Sequence, residues 1–125
     1  MLKKLQTRIS NPIRVGLVGA GAMGKGIAYQ VSHTPGMRLM FIGDLNLDVA
    51  RETAELIGKE PVETDGDTIP EITDAQVLIT TNALGVLRAN DQLKMEAFAE
   101  ATNAISAACE YCLAAIEGGM HVTLM

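Results

Sequence analysis

The feature that most constrains this chain is a glycine pattern, Gly19-x-Gly21-x-x-Gly24. It directly follows an apolar, β-rich segment, residues 13–18, and it opens a segment whose apolar residues recur at helical spacing. In such a pattern the first glycine permits a tight strand-to-helix turn and the second lets a pyrophosphate approach the backbone. The third glycine lets the helix pack closely on the sheet. The pattern therefore predicts a strand, a phosphate-binding loop and a helix.

The start of this predicted helix supplies the groups that would hold a phosphate. The first N–H groups of a helix lack partners within it, and the helix dipole favours negative charge at that end. We expect the backbone N–H groups around Ala22 and Met23 to point at the phosphates.

An acidic residue completes the fingerprint of a dinucleotide-binding site. Asp44 lies 20 residues past Gly24, at the end of a second apolar segment. Its carboxylate would accept hydrogen bonds from the adenosine ribose hydroxyls and would repel a 2′-phosphate. The cofactor is thus predicted to be NAD or NADP, with NAD favoured, although Asn46 and Arg51 lie near enough in sequence to reduce the repulsion. The alternative, a structural glycine turn with a solvated Asp44, requires all these features to coincide by chance.

Strand-like and helical segments alternate along the chain after residue 13. A repeating strand–helix order predicts an α/β fold in which a doubly wound parallel sheet carries helices on both faces. We predict strands at 13–18, 39–43, 77–81 and 121–124, with helices at 23–33, 46–57 and 83–89. Residues 58–74 are acidic and contain two prolines, so we predict a solvated connection with a partial helical turn there.

The stretch from Leu93 to Gly118 permits two interpretations. Helix propensity alone makes it one continuous helix. A helix of roughly 24 residues, however, would run about 36 Å and greatly exceed the strands it must cover. A break at Thr102-Asn103 resolves the conflict, with a short central strand at Ala97–Ala101 and a helix from Ala104 to Glu117.

Composition bounds the remaining possibilities. With 125 residues, 48% of them hydrophobic, the chain has the length of one domain, 13–125, preceded by a short amphipathic arm, 1–12. A net charge of −5 argues against a nucleic-acid or anionic-membrane partner, because both need a basic face. No apolar run is long enough to span a membrane, and the N-terminus lacks the pattern of a secretory signal. We therefore expect a cytoplasmic protein with a small soluble ligand.

The cysteines and histidines offer little chemistry. Cys109 and Cys112 form a C-x-x-C pair inside an Ala-rich helical pattern, which favours buried packing over thiol-redox activity and cannot supply a four-ligand metal site. His33 is expected to end a helix, with a favourable dipole interaction, and His121 to begin the last strand. No catalytic set and no metal site is predicted.

Four segments of the chain carry a resemblance to a known family: Asn11–Gly24, Gly43-Asp44-Leu45, Glu100-Ala101-Thr102-Asn103 and Gly119–Met125. Together they resemble the N-terminal domain of homoserine-dehydrogenase-like NAD(P)-dependent oxidoreductases. The resemblance is to the subgroup that carries a C-terminal SAF domain and includes the deoxyxylulose-phosphate reductoisomerase-like enzyme. It covers nearly the whole chain, but only the glycine loop is highly specific.

The resemblance implies further site residues. It places Thr102 and Asn103 beside the nicotinamide ribose and Asn82 near the adenine, and it supports a strand ending in Glu-Ala-Thr. Alanines at positions 97, 99 and 101 depart from the bulkier β-formers expected in that strand. It also implies that the full-length enzyme transfers hydride to or from a small hydroxy or oxo substrate, using a substrate and catalytic domain that we expect to be absent from this chain.

Two other functions stay open at this point. One is a non-catalytic NAD(H)-sensing or interaction module, and the other is a thiol-redox protein that uses the cysteine pair. We also expect a homo-oligomer, because the domain without its expected second half would expose apolar surface.

Overall fold

A computed structural model describes residues 11–102 and 104–124 of the chain. Six strands form one parallel sheet, in the order β3-β4-β2-β1-β5-β6. The strands are β1 (Ile13–Val18), β2 (Met37–Gly43), β3 (Glu60–Glu63), β4 (Gln76–Thr80), β5 (Ala97–Glu100) and β6 (His121–Leu124). The helices are α1 (Ala22–His33), α2 (Leu47–Leu56), α3 (Ala83–Arg88), α4 (Asn90–Leu93) and α5 (Ile105–Glu117). The predicted doubly wound α/β architecture is confirmed.

The sheet carries a hydrophobic core on each face. Successive strand residues point to opposite faces, so Leu17 packs with α1 and α2 while its neighbour Val18 packs with α3 to α5. The same division separates Ala99 from Phe98 in β5. Because both faces of the inner strands are covered, these strands are apolar along nearly their whole length.

The edge strand β3 corrects the prediction for residues 58–74, where we expected only a connection with a partial helical turn. Pro61 and two glutamates disfavour a strand by propensity. The N–H groups of Glu60 and Thr64 donate to Ala75 and Ile79 at 2.9 and 3.0 Å, and alternate residues face the same way. The ring nitrogen of Pro61 therefore faces away from β4, and this edge strand loses no hydrogen bond.

The ambiguous stretch resolves into a strand and a helix, as the length argument predicts. α4 was not predicted; it ends at Lys94, whose backbone is left-handed with φ of 55°. The chain then enters β5 between β1 and β6, and α5 starts only after β5 ends. The predicted N-terminal arm falls largely on Met1–Ser10, which lie outside the described residues.

A buried amide fastens this region together. The Asn90 side chain donates to the carbonyls of Met95 and Gly118, both at 3.0 Å, and accepts from the Met95 N–H at 2.7 Å. It thereby joins the approach to β5 to the end of α5. Sequence reasoning missed this residue, because its partners are 5 and 28 positions away and only the fold brings them together.

We expect Asn90→Ala to lower the free energy of unfolding by about 2 kcal/mol, because it leaves backbone groups of Met95 and Gly118 without their hydrogen-bond partner. Urea denaturation followed by circular dichroism measures the effect. Gln92→Ala, on the same short helix at an exposed position, is the matched control and should change stability little. Equal midpoints for the two variants would contradict the assigned role.

Candidate dinucleotide site

The first glycine of the motif forms a turn that the carboxyl ends of two neighbouring strands enclose. Gly19 has φ of +98°, a conformation that favours glycine, and its N–H donates to the Gly43 carbonyl at the end of β2 at 2.7 Å. A Cβ at this position would lie 2.7 Å from the backbone carbonyl of Ala101, just after β5. The turn therefore sits where β1, β2 and β5 end.

The third glycine lets the helix approach the turn. A Cβ added to Gly24 would lie 1.7 Å from the Gly19 carbonyl oxygen, far inside van der Waals contact. Any larger residue would push α1 away from β1. The start of α1 can lie this close to β1 only because Gly24 has no side chain.

The second glycine differs from the other two, because no contact among the described residues requires it. Gly21 has φ of −69° and ψ of −166°, which any residue adopts, and apart from its chain neighbours no described residue has an atom within 4 Å of an added Cβ. It is the N-cap of α1 and makes no side-chain capping bond, and the first turn has no acidic residue. A side chain here would occupy only the open space in front of the helix start.

The exposed start of α1 offers hydrogen-bond donors toward that space. The first intrahelical bond at this end runs from the Lys25 N–H to the Gly21 carbonyl at 2.8 Å. The N–H groups of Ala22 and Met23 precede it and belong to the unpaired donors of a helix start. Both residues are exposed. These donors, the helix dipole and the missing side chain at Gly21 fit a pyrophosphate.

The carboxylate of Asp44 anchors the loop. One oxygen accepts the Ala20 N–H at 2.8 Å, and the other accepts the Asn46 N–H at 2.8 Å. Each oxygen keeps a lone pair, so the half-buried group can accept further bonds from ribose hydroxyls. Arg51, expected near Asp44, is instead paired with Glu63 at 3.1 Å.

A cleft of about 400 Å³ joins these features. It lies where the chain, having built β2, β3 and β4 on one side of β1, crosses to β5 on the other. Open parallel sheets bind ligands at the carboxyl ends of the strands at such a switch point. Its lining residues are Val18, Gly19, Gly21, Asp44, Leu45, Thr81, Ala83, Ala101, Thr102, Ala104, Ala107 and Tyr111.

Of the three site residues that the family resemblance implies, one is among the described residues that line the cleft. Thr102 lines the cleft, whereas Asn103 lies outside the described residues. Asn82 caps α3 by accepting the Gly85 N–H at 3.2 Å, and its amide donates to the Asp65 carbonyl at 3.0 Å. Asn82 is not among the residues that line the cleft, so its predicted place near the adenine stays a prediction.

A buried carboxylate that sequence reasoning gave no role lies beside the cleft. Glu100 is 3% exposed and accepts bonds from the Thr102 N–H, at 2.8 Å, and from the Thr102 hydroxyl. It fixes the backbone that follows β5 and so shapes one wall of the cleft. An acidic residue ending the short apolar run Ala97–Glu100 is the signal that could have found it.

The cysteine pair corrects one expectation. Cys109 is exposed rather than buried, because its position on α5 faces away from the sheet, and Cys112 is half-buried. The dipole of a helix lowers the pKa of a thiol in its first turn. Both cysteines lie beyond the first turn of α5, so neither gains this effect. Burial instead raises the pKa of the Cys112 thiol, and the negative charges of Glu100 and Cys109 raise it further. These surroundings disfavour a reactive thiolate at Cys112.

The two histidines lie away from the cleft. His33 is the last residue of α1, as predicted, with its Nδ1 2.9 Å from the Tyr29 carbonyl, and His121 begins β6 and is exposed. Within residues 11–102 and 104–124, no three histidine, cysteine or acidic side chains converge as metal ligands. No helix in the same part of the chain has the length and hydropathy that a membrane crossing needs.

Three solved structures are similar to this chain to different degrees. A Rex-family repressor, RSP, matches over 99% of this chain and 49% of its own, with 17% identity and a TM-score of 0.58. GenD2 from gentamicin A biosynthesis, in complex with NAD, matches with 16% identity and a TM-score of 0.44 over 90% of this chain and 34% of its own. A myo-inositol dehydrogenase from Corynebacterium glutamicum ATCC 13032 matches with 19% identity and a TM-score of 0.49 over 90% of this chain and 35% of its own.

The first of these likenesses, with the strand order above, defines the class: the chain has a Rossmann-type α/β fold. It spans about half of the repressor's length and about a third of the other two. No protein-family model and no curated protein matches the chain.

Proposed function

We propose that this chain is the NAD(P)-binding domain of an oxidoreductase, of the homoserine-dehydrogenase-like kind that its motifs resemble. The observation that carries the proposal is the uncapped start of α1, open across Gly21 to a cleft that Asp44 also lines. The helix start binds the pyrophosphate, and Asp44 binds the adenosine ribose. By the family resemblance, we further propose that Thr102 and Asn103 contact the nicotinamide ribose and that Asn82 contacts the adenine.

In this proposal the full-length enzyme transfers hydride between the nicotinamide ring and a small hydroxy or oxo substrate. The bound cofactor supplies the hydride chemistry. The described residues contribute binding and orientation: the glycine loop positions the diphosphate, and Glu100 holds Thr102 against the cleft. Residues that bind the substrate belong to a further domain of that enzyme.

Isothermal titration calorimetry on the purified chain tests the proposal. NAD⁺, NADH, NADP⁺ and NADPH are titrated separately, with FAD and FMN as comparison ligands. We expect one site that binds a nicotinamide dinucleotide. A folded protein that releases no heat with any of these nucleotides would overturn it.

A second candidate function is a non-catalytic NAD(H)-sensing module. Among the described residues that line the cleft, only Asp44 and Tyr111 carry ionisable side chains, and two backbone N–H groups already engage Asp44. This lining favours binding over proton transfer. Turnover of an alcohol or hydroxy acid with NAD⁺ by this chain would exclude the sensing module.

The ribose contact gives a sharper test of the cofactor preference. We expect Asp44→Ala to narrow the preference for NAD over NADP by about tenfold, equivalent to about 1.4 kcal/mol, because it removes both an acceptor and a charge that repels the 2′-phosphate. The ratio of dissociation constants is measured by calorimetry. Asp48→Ala, an exposed acidic residue on α2, makes the same charge change away from the cleft. An unchanged ratio of the NAD and NADP dissociation constants in Asp44→Ala would show that other residues recognise the ribose.

A further inference from the structure

The two edges of the sheet are protected very differently. β3, at one edge, has the sequence Glu-Pro-Val-Glu, and β6, at the other, has His-Val-Thr-Leu. Charged residues and proline at an edge strand discourage pairing with another chain. The β3 edge carries both, whereas β6 has no proline and no acidic, lysine or arginine side chain. Within the described residues, β6 pairs only with β5.

An apolar stripe runs along the adjacent helix α5. Ile105, Cys109, Leu113 and Ile116 are four, four and three residues apart, so they share one side of the helix. Ile105 is 83% exposed, Leu113 61% and Ile116 60%, and Cys109 is also exposed. The buried residues Ala114 and Ala115 belong to the opposite side, which packs toward the sheet. The stripe therefore faces away from the core.

The stripe and the outer edge of β6 belong to one surface. α5 contacts both β5 and β6. Ile105 and Cys109 line a hollow that also includes Leu124 of β6, which is 67% exposed. Contiguous apolar surface of this kind is uncommon on monomers and marks interaction sites.

We propose that this surface binds a second copy of the same chain in a two-fold symmetric dimer. A two-fold axis perpendicular to the sheet brings two β6 strands together antiparallel, and the two α5 helices then lie side by side and antiparallel on one face. With the axis beside the middle of α5, at Tyr111, Cys109 lies opposite Leu113 of the second copy, and Ile105 lies opposite its Glu117 and next to its Ile116. The stripe is thus complementary to itself.

The charges at the ends of α5 fit the same arrangement. The helix start has no side-chain cap and no acidic residue in its first turn, so no group of the helix itself compensates its positive dipole end. Glu117, exposed at the other end, would lie beside the start of the second copy's helix in the antiparallel pair. Each dimer contains this favourable contact twice, which favours a second copy as the occupant.

Sedimentation velocity across a wide concentration series tests the proposal. We expect the wild-type chain to be a dimer, and Leu113→Arg to raise the dissociation constant about a hundredfold, because each interface contains the changed residue twice. Leu56→Arg is the matched control, since Leu56 is 57% exposed on α2 and lies outside this surface. It should leave the dimer intact.

A wild-type chain that stays monomeric at every concentration would overturn the proposal, and so would a dimer that Leu113→Arg leaves intact. Hydrogen exchange of the β6 amides provides a measurement that needs no variant. We expect slower exchange in Val122 and Leu124, whose N–H groups alternate with the β5-bonded N–H of His121 and so face the outer edge, at concentrations where the dimer forms; equal exchange in both states would contradict strand pairing. Nucleotide binding is not used as a readout, so this result is separate from the test of the proposed cofactor site.

Discussion

Replacing Gly24 with alanine should destabilise the domain by about 3 kcal/mol or more. An alanine Cβ would lie 1.7 Å from the Gly19 carbonyl oxygen, and neither the helix backbone nor the glycine turn can rotate a side chain away to relieve the contact. The start of α1 must therefore move off β1. Since a domain of this size has a total stability of about 5–15 kcal/mol, the loss is a large fraction of it.

Chemical denaturation of the two proteins in parallel measures the effect. Gly26→Ala is the matched control, because Gly26 lies on the same helix and is exposed, and outside the helix's own backbone no described residue has an atom within 4 Å of an added Cβ. Alanine there should stabilise the protein by about 0.5–1 kcal/mol, since it replaces glycine in a helix interior. A Gly24→Ala variant that is as stable as Gly26→Ala would refute the assigned packing.

Replacing Gly21 with valine should weaken dinucleotide binding at least about a hundredfold while the protein remains folded. A Cβ at Gly21 meets no atom of the described residues beyond its chain neighbours, and replacing glycine by valine at an N-cap costs about 1 kcal/mol, which the free domain tolerates. In the proposed complex, however, the side chain fills the space of the pyrophosphate. The substitution should thus separate binding from folding, which Gly24→Ala cannot do.

Calorimetry with NAD⁺ and NADH, together with a thermal melt, provides both readouts. Gly26→Val makes the same change one turn further along α1, outside the residues that line the cleft, and should bind with wild-type affinity. If Gly21→Val binds as tightly as Gly26→Val, the pyrophosphate does not lie across Gly21. Loss of binding in both variants would point to an effect on the helix as a whole.

Asp44 belongs to the proposed ribose-binding site and also holds the glycine loop in place. Its carboxylate already holds the Ala20 N–H, so the loop is formed before any ligand arrives. A preformed site loses less conformational entropy on binding. Substitutions at Asp44 consequently act on both loop geometry and ribose recognition, which is why the cofactor ratio, and not affinity alone, is the informative measurement.

Elements with strong local signals were predicted from the sequence. The apolar run at β1, the glycine motif and the helix starts near Asn46 and Asn82 are short-range features, and the structure has them within one or two residues of the predicted bounds. The break before α5 was also predictable, because a continuous helix would outrun the sheet. Propensity alone would have given the wrong answer there.

Other features depend on partners distant in sequence. β3 forms because its neighbour β4 offers hydrogen bonds to an edge where Pro61 does no harm. Glu100 is buried because β5 ends between β1 and β6. The exposure of Cys109 follows from which side of α5 meets the sheet. No local pattern contains this information.

The order of residues along the chain determined the alternation of strands and helices, the glycine turn and the acidic residue after the second strand, because each depends on backbone preferences over a few positions. Only the tertiary structure decided which groups meet at the carboxyl edge of the sheet, which asparagine is buried and which helix side is left apolar and exposed. Those outcomes depend on the strand order, since packing and hydrogen bonding act between elements that are distant in sequence.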